Sequence, residues 1–405
     1  MNLRPSPAAS ALVVVSAALF TDNILYFVLV PLLPHYQQAF SLNQTDLGLL
    51  FASYAAALLL GTLPIGKLSD VVGRRSMMLW GLLGLWGTTL LFAFATSFSI
   101  LIVARVLQGL SAAATWTSGL ALVADHWPAK HRGKALSTVF AFANLGVLLG
   151  PPFSGYVSER WGVQAPFIAA ACLALIDAVL RVWLLRDKEK ETTEVIPIRR
   201  MLKNRSICLL AGTLGMAAMS FAILESTLPI EFNARGWSMS LIGLIFAIAA
   251  LAHTLASPLA GAMADRLNRK KMIIVGLLLI AVLLPVPAFA KGLVPTFAIM
   301  ACTGFIGPLA GSPVAPAVTS VVDSMGGSEI GPDGAPGGGS GYSSAFGLIN
   351  LSIAVGIMVG PVLGGVGVDL VGLEWSLAAF AIVVALYALA IWRLLPATER
   401  AASSG

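Results

Sequence analysis

Twelve apolar runs of about 20 residues recur from one end of this chain to the other, each long enough to cross a bilayer as a helix. They lie near 9–33, 45–66, 77–95, 98–123, 134–157, 164–185, 206–230, 239–262, 272–290, 294–321, 342–368 and 373–395. Between them one string is written twice. Gly66-Lys67-Leu68-Ser69-Asp70-Val71-Val72-Gly73-Arg74-Arg75 returns as Gly261-Ala262-Met263-Ala264-Asp265-Arg266-Leu267-Asn268-Arg269-Lys270. Gly66, Asp70 and Arg74 thus recur as Gly261, Asp265 and Arg269, each 195 residues on. A basic loop repeated between hydrophobic spans points to a duplicated membrane protein whose halves rock around a shared site. The expected fold is all-α, twelve transmembrane helices in two pseudo-symmetric six-helix bundles.

The net charge of +6 could suggest nucleic acid, but its distribution excludes that reading. Of the 25 lysines and arginines, only Arg160, Arg235 and Lys291 fall in one set of alternate loops, and Arg105 and Arg181 fall inside spans. The rest sit in the other loops and at the two ends. This is the positive-inside pattern, and it places both termini in the cytoplasm. Arg4 and the apolar run after it imitate a signal peptide, yet the run continues to Pro34, longer than a signal core. Cys172, Cys208 and Cys302 are isolated in apolar spans, without disulfide or metal spacing, and read as buried inert thiols.

The charged stretch from Arg186 to Arg205 divides the chain. We expect one bundle over 1–186, a cytoplasmic linker over 187–205 with a short surface helix near 197–204, and a second bundle over 206–405. The glycine-rich stretch 326–341 reads as a flexible loop. It explains an offset. Gly150-Pro151 in span five is matched by Gly360-Pro361 in span eleven, 210 residues on instead of 195.

Several side chains carry chemistry. Asp70 can pair with the arginines beyond Gly73, Arg74 and Arg75, or meet the positive end of a neighbouring helix, as a conformational latch. Asn268 replaces the glycine in the second copy and should weaken that latch. An arginine in mid-span is costly and marks function or a partner. For Arg105 the partner expected is Asp22, at comparable depth in span one. The pair could exchange a proton as access alternates, or only fix packing. Glu225 in span seven is the one acid near the middle of the second half, with Phe221 one turn before it and Pro229 one turn after. It could bind an amine or a proton, or be merely wetted by a cavity. Asp177 and Arg181 share a helix face and read first as a local ion pair. His253 could relay protons but reads first as structural. Span ten, with Pro308, Pro313 and Pro316 among Gly304, Gly307 and Gly311, reads as a gate. In span five, Gly146, Gly150 and Gly155 permit close helix contact and Pro151-Pro152 bends the helix.

These strings resemble a known family. Gly66-x-Leu68-x-Asp70-x-x-Gly73-Arg74-Arg75 resembles the signature of the major facilitator superfamily. Arg105-Val-Leu-Gln108-Gly109 is similar to its buried-arginine motif. Gly146-x-x-x-Gly150-Pro151-Pro152-x-x-Gly155 resembles the motif of its drug:proton antiporter group. Within that group the chain is similar to the vesicular amine transporter family and its bacterial relatives. Asp22-Asn23, Val30-Pro31-x-x-Pro34, Leu49-x-Phe51-x-Ser53, Ala165-Pro166-Phe167 and Leu224-Glu225-x-x-Leu228-Pro229 carry that likeness. The resemblance implies amine recognition by Asp22 and Glu225 and coupling through Arg105. Departures are equally specific. Tyr54 stands where the family has a lysine, Gly311 and Asn350 where it has aspartates, and Ala218 where it has an asparagine.

The function expected is a proton-coupled antiporter in a bacterial inner membrane, exporting small cationic amphipathic compounds such as drugs or amines by alternating access. The substrate site would draw on Asp22, Asn23, Tyr26, Tyr54, Phe221, Glu225 and Asn350. Coupling would use Asp22, Arg105 and Glu225, with proton exchange mainly at Glu225 and amine contact mainly at Asp22. Gly146, Gly150, Pro151, Gly155, Gly360 and Pro361 would act as hinges. Trp116, Phe142 and Phe346 could add aromatic lining. The alternative is transport of a sugar or other neutral metabolite. No catalytic residues, metal or cofactor are expected: His-Glu-x-x-His and Gly-x-Ser-x-Gly are missing from the sequence, and the one Gly-x-x-x-x-Gly-Lys string, Gly61 to Lys67, ends apolar span two and is followed by Leu68 where a phosphate-binding loop needs Ser or Thr. The partners expected are a small molecule, protons and lipid, with the chain acting as a monomer.

Overall fold

The computed structural model describes residues 6–184, 202–324 and 339–396. The linker and its surface helix up to residue 201, and the glycine-rich stretch as far as 338, lie outside the described residues. Among the described residues there are helices and no strands, and twelve helical segments are long and apolar enough to cross a membrane.

In chain order the helices are α1 (Pro7–Phe27), α2 (Leu33–Phe40), α3 (Gln44–Val72), α4 (Arg74–Ala93), α5 (Phe98–His126), α6 (Ala129–Trp161), α7 (Ala165–Leu184), α8 (Arg205–Ala234), α9 (Met239–Arg266), α10 (Arg269–Leu283), α11 (Val286–Phe289), α12 (Leu293–Gly311), α13 (Val314–Ser324), α14 (Gly339–Val371) and α15 (Leu373–Leu394). The first span runs further than the apolar pattern implied, to Phe40, through a 3-10 turn at Val30–Leu32. Pro31 and Pro34 supply no backbone donor, so the α pattern loosens there without stopping. Span ten is broken at Ser312–Pro313, between α12 and α13, as its proline content predicts.

Local chemistry sets the ends. Asn43 and Asp46 form a reciprocal capping box at the start of α3. Gly73 closes α3 and opens α4 with φ +98, a backbone that favours glycine. Asn268, its counterpart, has φ −69 and instead caps α10 with its side chain, accepting from Lys271 N at 3.0 Å. The two loops therefore turn differently.

The chain forms two compact units. One comprises the described residues of Met1–Glu191 with Leu228–Ala247, the other those of Thr192–Thr227 with Ile248–Gly405. In the first unit Leu19, Met78, Leu82, Val123 and Val139 build a core between α1, α4, α5 and α6. Leu60, Leu63, Val71 and Trp80 are exposed. Lipid replaces water around a spanning helix, so such side chains need no protein cover.

Small residues carry the helix contacts, as expected where lipid removes the hydrophobic drive. They do so twice. Gly109 meets the Tyr54 carbonyl in the first unit, and Gly304 meets the Ala249 carbonyl in the second. Gly146 and Gly150 of α6 press on Phe20 and Phe27 of α1. Gly356 and Gly360 of α14 press on Gly215 and Met219 of α8. Duplication is thus visible in backbone packing as well as in the loops.

Candidate functional site

Asp22 lies three-quarters along α1 and is 2% exposed. Its carboxylate is held by neutral donors. Tyr54 of α3 donates its hydroxyl to both oxygens, at 3.0 and 3.1 Å, and Trp116 of α5 donates its indole N–H to Oδ2 at 2.6 Å. An ionised carboxylate accepts only, and both partners can donate, so the set suits a carboxylate anion. Tyr54 occupies the place where the family resemblance implied a lysine.

The expected ion pair between Asp22 and Arg105 is not formed. Arg105, 2% exposed on α5, is surrounded by the rings of Tyr26, Phe51, Tyr54 and Phe92, with 5.1–5.8 Å from its guanidinium carbon to each centroid. Cation–π attraction of this kind strengthens on desolvation. Arg105 Nε donates to Leu50 O at 3.4 Å and Nη1 to Gln108 Oε1 at 3.3 Å, while Nη2 has no hydrogen-bond partner among the described residues. Tyr26 and Tyr54 are buried in this packing and do not line an open wall. Asn23 spends its amide on Leu19 O at 2.8 Å.

In the second unit Glu225 stands on α8. No hydrogen bond or ion pair reaches it from the described residues, and it is half-buried. Phe221, one turn before, packs edge-on against His253 of α9 at 5.9 Å. Both press on Gly307 of α12. A shallow cleft with room for about one water, about 10 Å³, opens beside Phe221, lined also by Ser220, Leu224, Leu284, Thr303 and Ile306. Asn350, Phe142 and Phe346 are exposed.

The repeated loops make repeated contacts. Arg74 donates to Ala121 O at 2.8 Å and pairs with Asp125 on the last turn of α5. Arg269 donates to Pro316 O at 3.0 Å and to Ser320 Oγ at 2.9 Å. The acceptors are displaced by the same 195 positions as the arginines. Asp70 lies 4.0 Å from Arg74, so the tighter acidic partner is Asp125, a residue the motif does not contain. Arg75 Nη2 donates to Val182 O at 3.1 Å. Asp265 has no such bond among the described residues.

Span five passes unbroken through Pro151 and Pro152. A side chain at Gly155 would meet the Met239 carbonyl, and one at Gly243 the Pro151 carbonyl. Nearby, Glu159 accepts from Ser240 N at 2.8 Å and from its hydroxyl at 2.5 Å. Pro361 lies inside α14, beside Gly360.

Two further expectations are corrected. Asp177 and Arg181 do not pair. Asp177 takes a proton-bearing hydroxyl from Thr21 at 2.6 Å, while Arg181 Nε and Nη2 donate to the carbonyls of Arg75 and Arg74 at 2.8 and 3.0 Å. Arg181 thereby anchors α7 to the first turn of α4. Cys172 and Cys302 are exposed and Cys208 is partly covered, so the cysteines are not core thiols. An apolar neighbourhood in sequence does not imply burial where lipid is the solvent.

The chain matches the model of the Major Facilitator Superfamily over residues 15–230 and again over 210–405. It is 32% identical to a probable vesicular acetylcholine transporter-B of Danio rerio, over 96% of this chain and 80% of that protein. It is 30% identical to the chromaffin granule amine transporter of Homo sapiens, over 85% of this chain and 64% of that one. Its fold is similar to the inward-facing, unoccupied crystal structure of a bacterial homologue of the human lysosomal transporter Spinster. The TM-score there is 0.78 and the identity 15%, over 96% of this chain and 98% of that one.

Proposed function

The chain belongs to the Major Facilitator Superfamily, and we propose that this multi-pass membrane transporter is a proton-coupled antiporter for cationic amphipathic compounds. Amines and drugs are the substrate class. It is a transporter and not an enzyme. The single observation that carries the finer reading is the carboxylate of Asp22, enclosed in a span and held by the neutral donors Tyr54 and Trp116. A buried anion without a bonded cation is costly in a membrane and suits a mobile positive charge. The relatives named for amines and acetylcholine support the same substrate class.

On this reading amine contact falls to Asp22 and proton exchange to Glu225, with Arg105 tuning the first. Residues 1–186 and 206–405 act as the two rocking bundles, hinged at the span-five and span-eleven Gly-Pro pairs. The loops of Asp70-Arg74 and Asp265-Arg269 latch one state. The protein works as a monomer in a bacterial inner membrane with both termini in the cytoplasm.

The test is dye efflux. Cells expressing the chain should lose a cationic dye several-fold faster than controls, and a protonophore should remove the difference. Efflux that survives collapse of the proton gradient would defeat proton coupling. Sugar flux in place of dye flux would defeat the substrate class.

A further inference from the structure

We propose, on the proton-coupled reading above, that Asp177 is a proton-binding carboxylate in addition to Glu225, this one in the first unit. Asp177 is 2% exposed on α7, and Thr21 of α1, fully buried, bonds to it across 156 positions of sequence at 2.6 Å. Thr21 immediately precedes Asp22, so α1 meets one carboxylate and carries another at adjacent residues.

The partner is what makes proton binding fit. A hydroxyl both donates and accepts. When Asp177 is ionised, Thr21 donates to Oδ2. When a proton adds to that carboxylate, the O–H so formed donates to Thr21 Oγ1 and the bond reverses direction. The Thr21–Asp177 contact is kept in both states; on reversal the Thr21 hydroxyl hydrogen turns to the carbonyl one turn back on its own helix, a bond that buried threonines commonly make. An arginine partner would favour one state only, and the arginine one turn on is turned away to the carbonyls of Arg74 and Arg75.

Neighbouring charge is sparse. The elements packed on α7 are α1, α4 and α6. Titratable groups on α1 are Asp22 and Tyr26, those on α4 are Arg74 and Arg75 at its start, and those on α6 are Lys130, His131, Arg132 and Lys134 at its start and Tyr156, Glu159 and Arg160 near its end. On α7 itself there is Arg181. The position is not demanded by packing either. At the matching place in the second unit, 210 residues on, stands Tyr387, whose hydroxyl donates to Leu209 O at 2.8 Å. The repeated scaffold is satisfied there by a neutral group.

The test is thermodynamic. The full chain is reconstituted in liposomes with the membrane potential clamped, and accumulation of tetraphenylphosphonium is measured at steady state against the imposed pH gradient. The logarithm of the accumulation ratio rises with the gradient by the number of protons exchanged. Asp177→Asn, which keeps size and hydrogen bonding, should lower that slope by one, a tenfold loss of accumulation per pH unit. An unchanged slope, with only rate or stability reduced, overturns the proposal and leaves Asp177 structural. A wild-type slope of zero overturns the proton-coupled reading itself, which is a separate result. Should Asp177→Asn not fold, Thr21→Val keeps the carboxylate and removes its partner. The pH–rate profile should then move, and a profile identical to wild type overturns the proposal.

Discussion

Trp116 donates its indole N–H to Asp22 across 2.6 Å, joining α5 to α1 over 94 positions of sequence. Truncating one partner of a buried polar pair costs about 1–3 kcal/mol. Trp116→Phe should therefore lower the melting temperature by several degrees and weaken tetraphenylphosphonium binding. Adding Tyr54→Phe should deepen both losses, because the carboxylate then has neither donor. Melting curves and binding isotherms check this. Unaltered values in the double variant would mean that these donors do not support Asp22.

The two repeated loops differ in one acceptor, Asp125 against Ser320. The Arg74–Asp125 pair is partly exposed, so its contribution to stability is about 0–1 kcal/mol. Its effect should appear in turnover. Asp125→Asn should slow transport several-fold with little change in melting temperature, and Ser320→Ala should slow it less. Asp70→Asn should also cut turnover more than ligand affinity, since neither Asp70 nor Arg74 bonds Asp22. Equal effects of Asp125→Asn and Ser320→Ala on initial rates would remove the asymmetry.

Glycine positions separate packing from conformation. A methyl group at Gly109 would collide with the Tyr54 carbonyl, and one at Gly304 with the Ala249 carbonyl. Overpacking of this kind costs about 1–3 kcal/mol. Gly109→Ala and Gly304→Ala should each lower the melting temperature and reduce the folded yield. Gly66→Ala meets nothing within 4 Å and should melt like wild type. Gly73→Ala has space too but is strained at φ +98, so it should behave like the first pair. A size-exclusion and thermal-melt series ranks the four.

The spans were legible because lipid imposes a length and a composition on every crossing segment, and the observed helices end within a few residues of the apolar runs in most cases. The first is the exception, where Pro31 and Pro34 hid a continuation to Phe40. The repeated loop was legible as a string, and Asn268 marked where its second copy turns differently, with φ −69 in place of the +98 of Gly73. Partners were not legible. Trp116 and Asp177 owe their roles to contacts 94 and 156 positions away, which no local period reveals. Arg105 was placed beside Asp22 by depth alone; the two remain in electrostatic reach and both meet Tyr54, but the rings of Tyr26, Phe51, Tyr54 and Phe92, and not the carboxylate, enclose the guanidinium. Asp125 could have been found by asking which acid lies near the inner end of span four. The cysteines misled because the rule that apolar surroundings mean a core belongs to water-soluble proteins.

Asp22 and Glu225 divide the mechanism by their surroundings. The oxygens of Asp22 already accept from Tyr54 and Trp116, an arrangement that an arriving cation completes without rebuilding. Glu225 has no bonded partner among the described residues, so gaining or losing a proton there leaves no hydrogen bond broken behind it. Glu225→Gln should therefore abolish transport driven by a pH gradient while sparing substrate binding and substrate-for-substrate exchange. Asp22→Asn should weaken binding of permanently charged cations at least tenfold and spare neutral compounds. Gradient-driven uptake, counterflow and equilibrium binding, measured on the same liposomes, distinguish the two. Exchanged phenotypes would reverse the assignment. Normal gradient-driven transport in both variants would exclude these carboxylates from coupling and leave Asp177 as the remaining buried acid of the first unit to carry it.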